Sequence, residues 1–286
     1  SLTQVNRDYL SPIQKFNDKV AMQHLRQKIY PFVLRRLKKD VLKDLPDKIE
    51  QTLYVEMSGE QRRLYEQRRN FYQAAISTQI AKKGIKNSQF FIFQALNELR
   101  QIASIPENLS DGKINSPKRE LLQEQLLDSI ANGHKALVFA NYLAAVELIG
   151  EALDEAGIDF VSMTGATRDR QRLVDRFQNE DECKVFIMTL KTGGTGLNLT
   201  AADTIFIFDP WWNVAAESQA IDRAHRFGQT NKVLAYKLIT QNTIEEKILK
   251  LQQLKKELFD SVITADSSSL KSLTEDDINF ILETNL

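Results

Sequence analysis

The second half of the chain alternates helices with short, continuously apolar strands, and no other feature constrains the fold as strongly. Strands are predicted at 135–140 (KALVFA), 159–163 (DFVSM), 184–190 (KVFIMTL), 204–209 (TIFIFD) and 233–239 (VLAYKLI). Strands without a polar face indicate a parallel sheet that helices cover on both sides. The sequence therefore predicts a doubly wound α/β domain whose functional loops lie at the carboxyl ends of its strands.

Helices are predicted between these strands, and several of their ends carry capping signals. Ser116 is expected to cap a helix that Pro117 opens, and Thr243 to form a capping box with Glu246. The predicted helices span 117–132, 142–156, 167–178, 214–226 and 243–260. A short terminal helix is predicted in TEDDINFILETN, after the polar stretch ADSSSL.

The first 115 residues have a different, mainly helical pattern. Long helices are predicted at 11–30, 59–83 and 88–104, with Ser58 and Gln61 as a capping box and Gly84 as a stop. The alternation in KIEQTLYVEM (48–57) predicts one strand, but it does not identify the sheet that this strand joins. Because 106–117 is rich in Pro, Asn, Ser, Asp and Gly, we predict a mainly helical segment at 1–115, the α/β domain at 116–262 and an extension at 263–286.

Composition excludes some classes of protein and leaves others open. The chain of 286 residues has no long apolar run and no signal pattern, so we expect an intracellular protein without a membrane partner, cytoplasmic or nucleoid-associated if bacterial and nuclear if eukaryotic. Its one cysteine, Cys183, excludes an internal disulfide, and no metal site is predicted. Residues 1–90 hold 18 Lys and Arg against 9 Asp and Glu, leaving 20 and 29 for the rest. This asymmetry is typical of a face that binds nucleic acid or of an ordinary solvated face.

A glycine-rich loop follows the strand at 184–190. In TLKTGGTGLN, the glycines at 193, 194 and 196 would let backbone N–H groups approach a phosphate. A dinucleotide-binding fingerprint is disfavoured, because Leu199 stands where its third glycine belongs and no helix fits before residue 204. A tight turn without a ligand remains the alternative.

The segment QAIDRAHRFGQ (219–229) carries two arginines on the predicted helix 214–226. Gln219, Arg223 and Arg226 would lie on one stripe of this helix and present two guanidinium groups side by side. The alternative is structural, since Asp222 and Arg226 are spaced for a helical ion pair and arginines near a helix C-terminus complement its dipole.

The order of these pieces resembles the Swi/Snf family of ATP-dependent DNA translocases in helicase superfamily 2. KALVFANYLAAVELI is similar to its motif IV, MTGATRDRQR to motif IVa, MTLKTGGTGLNLTAAD to motif V and QAIDRAHRFGQ to motif VI. YPFVLRRLKKDVLKDLPDKIE (30–50) resembles the family's sequence between its two motor lobes. The resemblance spans about 10–262 and departs from the family pattern at Asn141, Thr195 and Val214, none of which is a charged catalytic group.

This resemblance implies a RecA-like second lobe and a role for each motif. Arg223 and Arg226 match the family's arginine fingers, with Gln219, Gly194 and Gly196 near the nucleotide. The residues expected near DNA phosphates are Gly165, Ala166 and Thr167, together with Thr189 and Thr192. Trp212 is expected to pack beneath motif VI, with contact to DNA as the alternative.

The sequence contains neither Gly-x-x-x-x-Gly-Lys-Ser/Thr nor Asp-Glu-x-His. We therefore expect ATP and Mg²⁺ to be held mainly by an N-terminal RecA-like lobe outside this chain, and the chain to be inactive as an ATPase by itself. Duplex DNA and that lobe are the expected partners. An RNA helicase lobe of the same superfamily and a non-enzymatic interaction module remain alternatives, and a nucleotide-dependent oxidoreductase is disfavoured by the glycine spacing.

Overall fold

The computed structural model describes residues 45–193, 196–210, 214–254 and 274–283. By its internal contacts the chain divides into Ser1–Asp44 and Leu45–Leu286, and the helix predicted at 11–30 lies outside the described residues. None of the described helices is long and apolar enough to cross a membrane.

A six-stranded parallel sheet forms the centre of the described region, which confirms the predicted fold class. The strands are β1 (Lys48–Val55), β2 (Ala136–Ala140), β3 (Phe160–Met163), β4 (Val185–Thr189), β5 (Thr204–Ile207) and β6 (Val233–Thr240). They lie in the order β1-β6-β5-β2-β4-β3, and each neighbouring pair is parallel. β2 is buried along its whole length because it lies inside the sheet with helices on both faces.

The sequence predicts a strand at 48–57 without identifying its sheet. In the structure this strand, β1, lies at the edge of the central sheet. β1 pairs with β6, with Lys48 opposite Val233 and Val55 opposite Thr240. The sheet thus includes a strand that precedes residue 116, and the domain boundary at 115/116 stays a prediction from sequence pattern.

Helices cover the sheet on both faces. The described helices are α1 (Gly59–Ser104), α2 (Pro117–Ala131), α3 (Leu143–Glu155), α4 (Arg170–Asn179), α5 (Leu190–Gly193), α6 (Val214–Ile221), α7 (Ile244–Leu254) and α8 (Glu275–Leu282), with a 3₁₀ turn at Pro106–Leu109. Of these, α1, α7 and α8 pack together in an apolar cluster of their own. Along β2, Leu137 and Phe139 belong to one apolar cluster and Val138 to another. Successive side chains of a strand point to opposite faces, so each face of the sheet has its own core.

α1 is a helical hairpin (59–104), because Gly84 interrupts it with φ 74° and ψ 161°. The two arms run antiparallel, since Gln61 Nε2 donates to the carbonyl oxygens of Ile102 at 2.8 Å and Ala103 at 3.2 Å. The predicted stop at Gly84 is confirmed, and the positive φ explains why glycine occupies that position. The second arm begins directly after Gly84 rather than at residue 88.

The predicted helix caps are confirmed in part. Ser116 Oγ accepts from Arg119 N at 3.1 Å, with Pro117 in the first turn, as expected. Ser58 Oγ likewise accepts from Gln61 N, but the Gln61 side chain reaches the opposite arm instead of closing a capping box. At α7 the predicted box is also wrong, because Glu246 accepts from the backbone N–H of Asn242 rather than that of Thr243.

Candidate functional site

The predicted DNA-contacting residues lie on two adjoining loops at the carboxyl edge of the sheet. Because β3 and β4 are neighbours, the loop at 164–167 lies beside the turn at 189–192. Thr192 Oγ1 lies 3.3 Å from the carbonyl oxygen of Met163 and 2.9 Å from Thr189 Oγ1. The structure therefore brings both loops together and connects them through the Thr192 hydroxyl.

Within these loops, the exposed groups differ from the buried ones. Thr192 is buried and its hydroxyl contacts protein atoms, whereas Gly165 and Ala166 are exposed. The backbone N–H of Thr167 donates to the carbonyl oxygen of Thr164 at 3.2 Å. Among the described residues no acceptor contacts the backbone N–H of Gly165 or Ala166, so these two amides are available to a ligand.

The two predicted arginine fingers lie in a turn, which we call the arginine turn (222–229). The predicted helix 214–226 is wrong in its extent, because α6 ends at Ile221. Beyond Ile221 the backbone N–H groups of Arg223 and Ala224 bond only three residues back, to the carbonyl oxygens of Ala220 at 3.1 Å and Ile221 at 3.2 Å. Tertiary contacts hold the resulting turn: Leu199 N donates to the carbonyl oxygen of Arg223 at 3.0 Å, and Gln229 Nε2 donates to that of Ala224 at 3.1 Å. Gly228, with φ +97°, completes the turn.

Gln229 organises this turn, a role that the sequence did not reveal. The side chain is buried, and its Nε2 also donates to the carbonyl oxygens of Thr200 at 3.3 Å and Ala202 at 2.8 Å. Its Oε1 accepts from the backbone N–H groups of Thr230 at 3.0 Å and Asn231 at 2.9 Å. The last residue of the QAIDRAHRFGQ segment thus ties the arginine turn to the loop that follows α5.

Both arginines of this turn are half-buried cations, and the turn contains one carboxylate, that of Asp222. Arg226 Nη1 donates to the carbonyl oxygen of Leu197 at 3.1 Å, and Arg223 Nε is buried without a hydrogen-bond partner. The ion pair between Asp222 and Arg226 stays a prediction. Burial lowers the pKa of the Arg223 guanidinium, the positive charge of Arg226 lowers it further, and the carboxylate of Asp222 opposes this shift. The turn therefore carries two neighbouring positive charges that an anion would stabilise.

The other predicted nucleotide-site residues lie near this turn or outside the described region. Gln219 is exposed on α6, two residues before the helix ends. Gly196 is exposed with φ +66°, directly before Leu197, whose carbonyl oxygen binds Arg226. Gly194 and Trp212 lie outside the described residues.

A second group of charges, which the sequence did not predict, lies buried at the carboxyl edge of the sheet. We call Arg100, Lys118, Asp209 and Glu245 the buried ion cluster. Lys118 Nζ donates to both carboxylate oxygens of Glu245 at 2.7 Å. The same carboxylate accepts from Ser104 Oγ at 2.7 Å and from Thr240 N at 2.8 Å, so it joins α1, α2, β6 and α7.

Asp209 is the member of this cluster whose charge is least stabilised by hydrogen bonds. Its Oδ1 accepts from Asn141 N at 2.6 Å, but its Oδ2 is buried without a partner. Arg100 Nη2 donates to the backbone oxygen of Asp209 at 3.2 Å. Burial raises the pKa of Asp209 from 3.8 to about 7, although the charges of Arg100 and Lys118 oppose this shift. The sequence signal for the buried ion cluster is Asp209, the carboxylate that ends the otherwise apolar strand predicted at 204–209.

Comparison with known sequences gives two family matches along this chain. The SNF2-related domain matches residues 3–108, and the helicase conserved C-terminal domain matches residues 117–228. An uncharacterized ATP-dependent helicase of Mycoplasma pneumoniae is 34% identical over 279 residues, covering 97% of this chain and 27% of that protein. The putative ATP-dependent helicase/translocase YwqA of Bacillus subtilis is 35% identical over 282 residues, covering 93% and 30% respectively. The chain thus spans less than a third of these relatives.

A solved structure has a similar fold. The Sulfolobus solfataricus SWI2/SNF2 ATPase core in complex with dsDNA aligns with a TM-score of 0.72 and 29% identity, covering 100% of this chain and 61% of that one. Both the sheet and the helical hairpin that precedes β2 therefore fall within one known architecture.

Proposed function

Because the chain belongs to the SWI2/SNF2 family of ATP-dependent helicases, we propose that it forms the second motor lobe of an ATP-dependent duplex DNA translocase. The observation that carries this proposal is the arginine turn, where the charge of Arg226 lowers the pKa of the neighbouring Arg223 and Arg223 Nε is buried without a hydrogen-bond partner. Two neighbouring cations with a single carboxylate, Asp222, in the same turn are suited to an anionic ligand such as a triphosphate.

In this proposal Arg223 and Arg226 stabilise the transition state of ATP hydrolysis. A guanidinium stays charged, and its planar fork of N–H donors matches phosphate oxygens. Negative charge on the equatorial oxygens of the transferred phosphoryl group is stabilised by such donors, which are worth roughly 10³ to 10⁵ in rate in NTPases that use them. Gln229 acts as a positioning residue, since its five hydrogen bonds hold the turn. Gln219, Gly194 and Gly196 contribute to the nucleotide side of the same site.

The loops at 164–167 and 189–192 are proposed to contact one DNA strand. Backbone N–H groups of Gly165 and Ala166 suit phosphate oxygens, and such contacts position a protein on DNA without reading its sequence. Thr167 and Thr189 add hydroxyl groups, whereas the Thr192 hydroxyl holds the two loops together. A complex of the Sulfolobus core with dsDNA supports duplex DNA as the partner.

ATP and Mg²⁺ are proposed to be held mainly by an N-terminal RecA-like lobe of the same polypeptide. Within the described residues no group of His, Cys, Asp and Glu side chains is suited to hold a metal ion, so we assign none of them to Mg²⁺. This chain contributes the arginine fingers from the opposite side of the nucleotide.

The test is ATP hydrolysis by the whole protein with Arg223→Ala or Arg226→Ala. We expect the DNA-stimulated rate to fall roughly 10³-fold or more while duplex affinity stays near that of the parent, because the charge is needed mainly in the transition state. Arg172→Ala, which removes an exposed arginine of α4, is the matched control. A rate above about a tenth of the parent in both finger variants would exclude the assignment.

Two further arms of this experiment separate the alternatives. The 286-residue chain alone is expected to hydrolyse ATP negligibly with or without duplex DNA, since its arginines act on a nucleotide bound elsewhere. Stimulation of the whole protein by RNA but not by duplex DNA would favour an RNA helicase. Absence of any ATP hydrolysis would favour a non-enzymatic interaction module.

A further inference from the structure

The helical hairpin carries an unbalanced positive charge at its tip. Between Glu66 and Glu98 the sequence has no Asp or Glu but has five basic residues. Two of them are engaged near the base, since Arg68 pairs with Glu98 at 2.5 Å and Arg69 is 7% exposed. The other three, Lys82, Lys83 and Lys86, are exposed on both sides of Gly84. We call residues 82–86 the hairpin tip.

The hairpin is anchored at the same edge of the sheet as the proposed DNA-contacting loops. Thr240, the last residue of β6, donates through Oγ1 to the carbonyl oxygen of Ala103 at 2.8 Å. Ser104 binds Glu245, and Arg100 binds the backbone oxygen of Asp209 just after β5. These bonds fix the base of the second arm at the carboxyl ends of the strands.

The tip extends well beyond this anchored base. Each arm has about 20 to 25 residues, and at 1.5 Å per residue this is roughly 30 to 37 Å. The distance is close to one helical turn of B-form DNA, about 34 to 36 Å. A hairpin of this length that starts at the sheet edge can therefore reach phosphates about one turn away from those at the loops.

The chemistry of the tip favours a polyanion whose charge is regularly spaced. Lysine heads on flexible stems contact phosphates as point charges and need no fixed geometry. Three of them, with no carboxylate nearby in the chain, would release counter-ions from a duplex on binding. An acidic protein segment is the other class of ligand, and it would also cover Phe90, which is 82% exposed.

We propose that the hairpin tip is a second contact for the phosphate backbone of duplex DNA, separate from the loops at the sheet edge. The inference rests on the proposed function, because it takes duplex DNA as the partner. The contact is independent of base sequence and lengthens the footprint of the lobe on the duplex by about one turn.

The test is a salt titration of duplex binding by the whole protein, using unrelated sequences. The variant is Lys82→Gln/Lys83→Gln/Lys86→Gln, which alters exposed residues only. The matched control, Lys113→Gln/Lys232→Gln/Lys250→Gln, removes three exposed lysines elsewhere and changes the net charge equally. We expect the slope of log K against log salt to become shallower by about 2 to 3 for the tip variant, at about 0.9 per phosphate lost, and to stay unchanged for the control.

Each other outcome contradicts the proposal in a recognisable way. If the parent binds duplex and the tip variant keeps its slope, the tip contact is wrong and the proposed DNA-binding function stands. If the parent binds no duplex even at low salt, the DNA partner itself is wrong. Two additions test an acidic protein segment as the ligand: a poly-glutamate competitor and the variant Phe90→Ser. If the triple lysine variant and the Phe90→Ser variant both lose poly-glutamate binding while duplex binding stays intact, the tip binds an acidic protein.

Discussion

The buried ion cluster and the arginine turn both contain two basic side chains, but the cluster contains two carboxylates and the turn only one, Asp222. In the cluster, Lys118 and Arg100 lie among Glu245, Asp209 and backbone oxygens, and all four side chains are buried. In the turn, Arg223 and Arg226 are half-exposed, and burial and the charge of Arg226 lower the pKa of Arg223 by more than the charge of Asp222 raises it. Charge that is neutralised within the chain holds elements together, whereas an excess of positive charge is available to an anionic ligand. Removing a cation should therefore affect stability in the first region and activity in the second.

The largest effect on stability is expected at Lys118. Lys118→Met leaves the buried Glu245 carboxylate without its cation, which should cost about 3 to 5 kcal/mol of the free energy of unfolding. Denaturant titration measures this loss, with exposed Lys113→Met as the control at about 0.5 kcal/mol or less. Adding Glu245→Gln to the Lys118 variant should recover part of the loss. Equal stabilities for the Lys118 and Lys113 variants would remove the basis of the comparison.

A pH-dependent effect is expected at Asp209. Its pKa is raised in the folded state, from 3.8 to about 7, so its contribution to stability is complete below about pH 4 and is lost as the pH rises towards 7. Asp209→Asn cannot ionise and should avoid this loss, gaining roughly 2 to 4 kcal/mol relative to the parent between pH 4 and 8. Unfolding measured across this range in both proteins checks the sign. Parallel pH profiles would show that Asp209 is already ionised and paired in the fold.

The smallest effect is expected in the arginine turn. Arg223→Gln removes one of two neighbouring like charges, so stability should stay level or rise by at most about 1 kcal/mol, since the group is largely solvent-screened. Thermal unfolding of the same protein preparation used for ATP hydrolysis gives the comparison directly, with Arg172→Gln as the control. A loss well above 1 kcal/mol would mean that Arg223 supports the fold, as Lys118 does.

Local signals in the sequence predicted most of the fold and only part of the site. The apolar strands, the Gly84 stop and the Ser116 cap depend on neighbouring residues, and each was identified. Two other contacts join residues that are far apart in the chain: the pairing of β1 with β6 and the ion pair of Lys118 with Glu245. Local sequence patterns carry no information about such contacts. The helix predicted to residue 226 gives way after Ile221 to a turn that Leu199 and Gln229 hold through bonds to the carbonyl oxygens of Arg223 and Ala224. The QAIDRAHRFGQ segment identified the arginines, but their surroundings required the tertiary structure.

The pairing of β1 with β6 also constrains how the lobe can assemble. β1 cannot join the sheet before β6 has formed, since Lys48 pairs with Val233. Contacts between such distant segments form late and slow folding, because a large loop must close before they contribute. In a fragment that begins after residue 55, β6 would become the edge strand, with a row of unpaired backbone N–H and C=O groups that can pair with another molecule. β1 is itself an edge strand, but it carries the charged side chains of Lys48 and Glu50, which disfavour pairing with another molecule, whereas β6 is mostly buried.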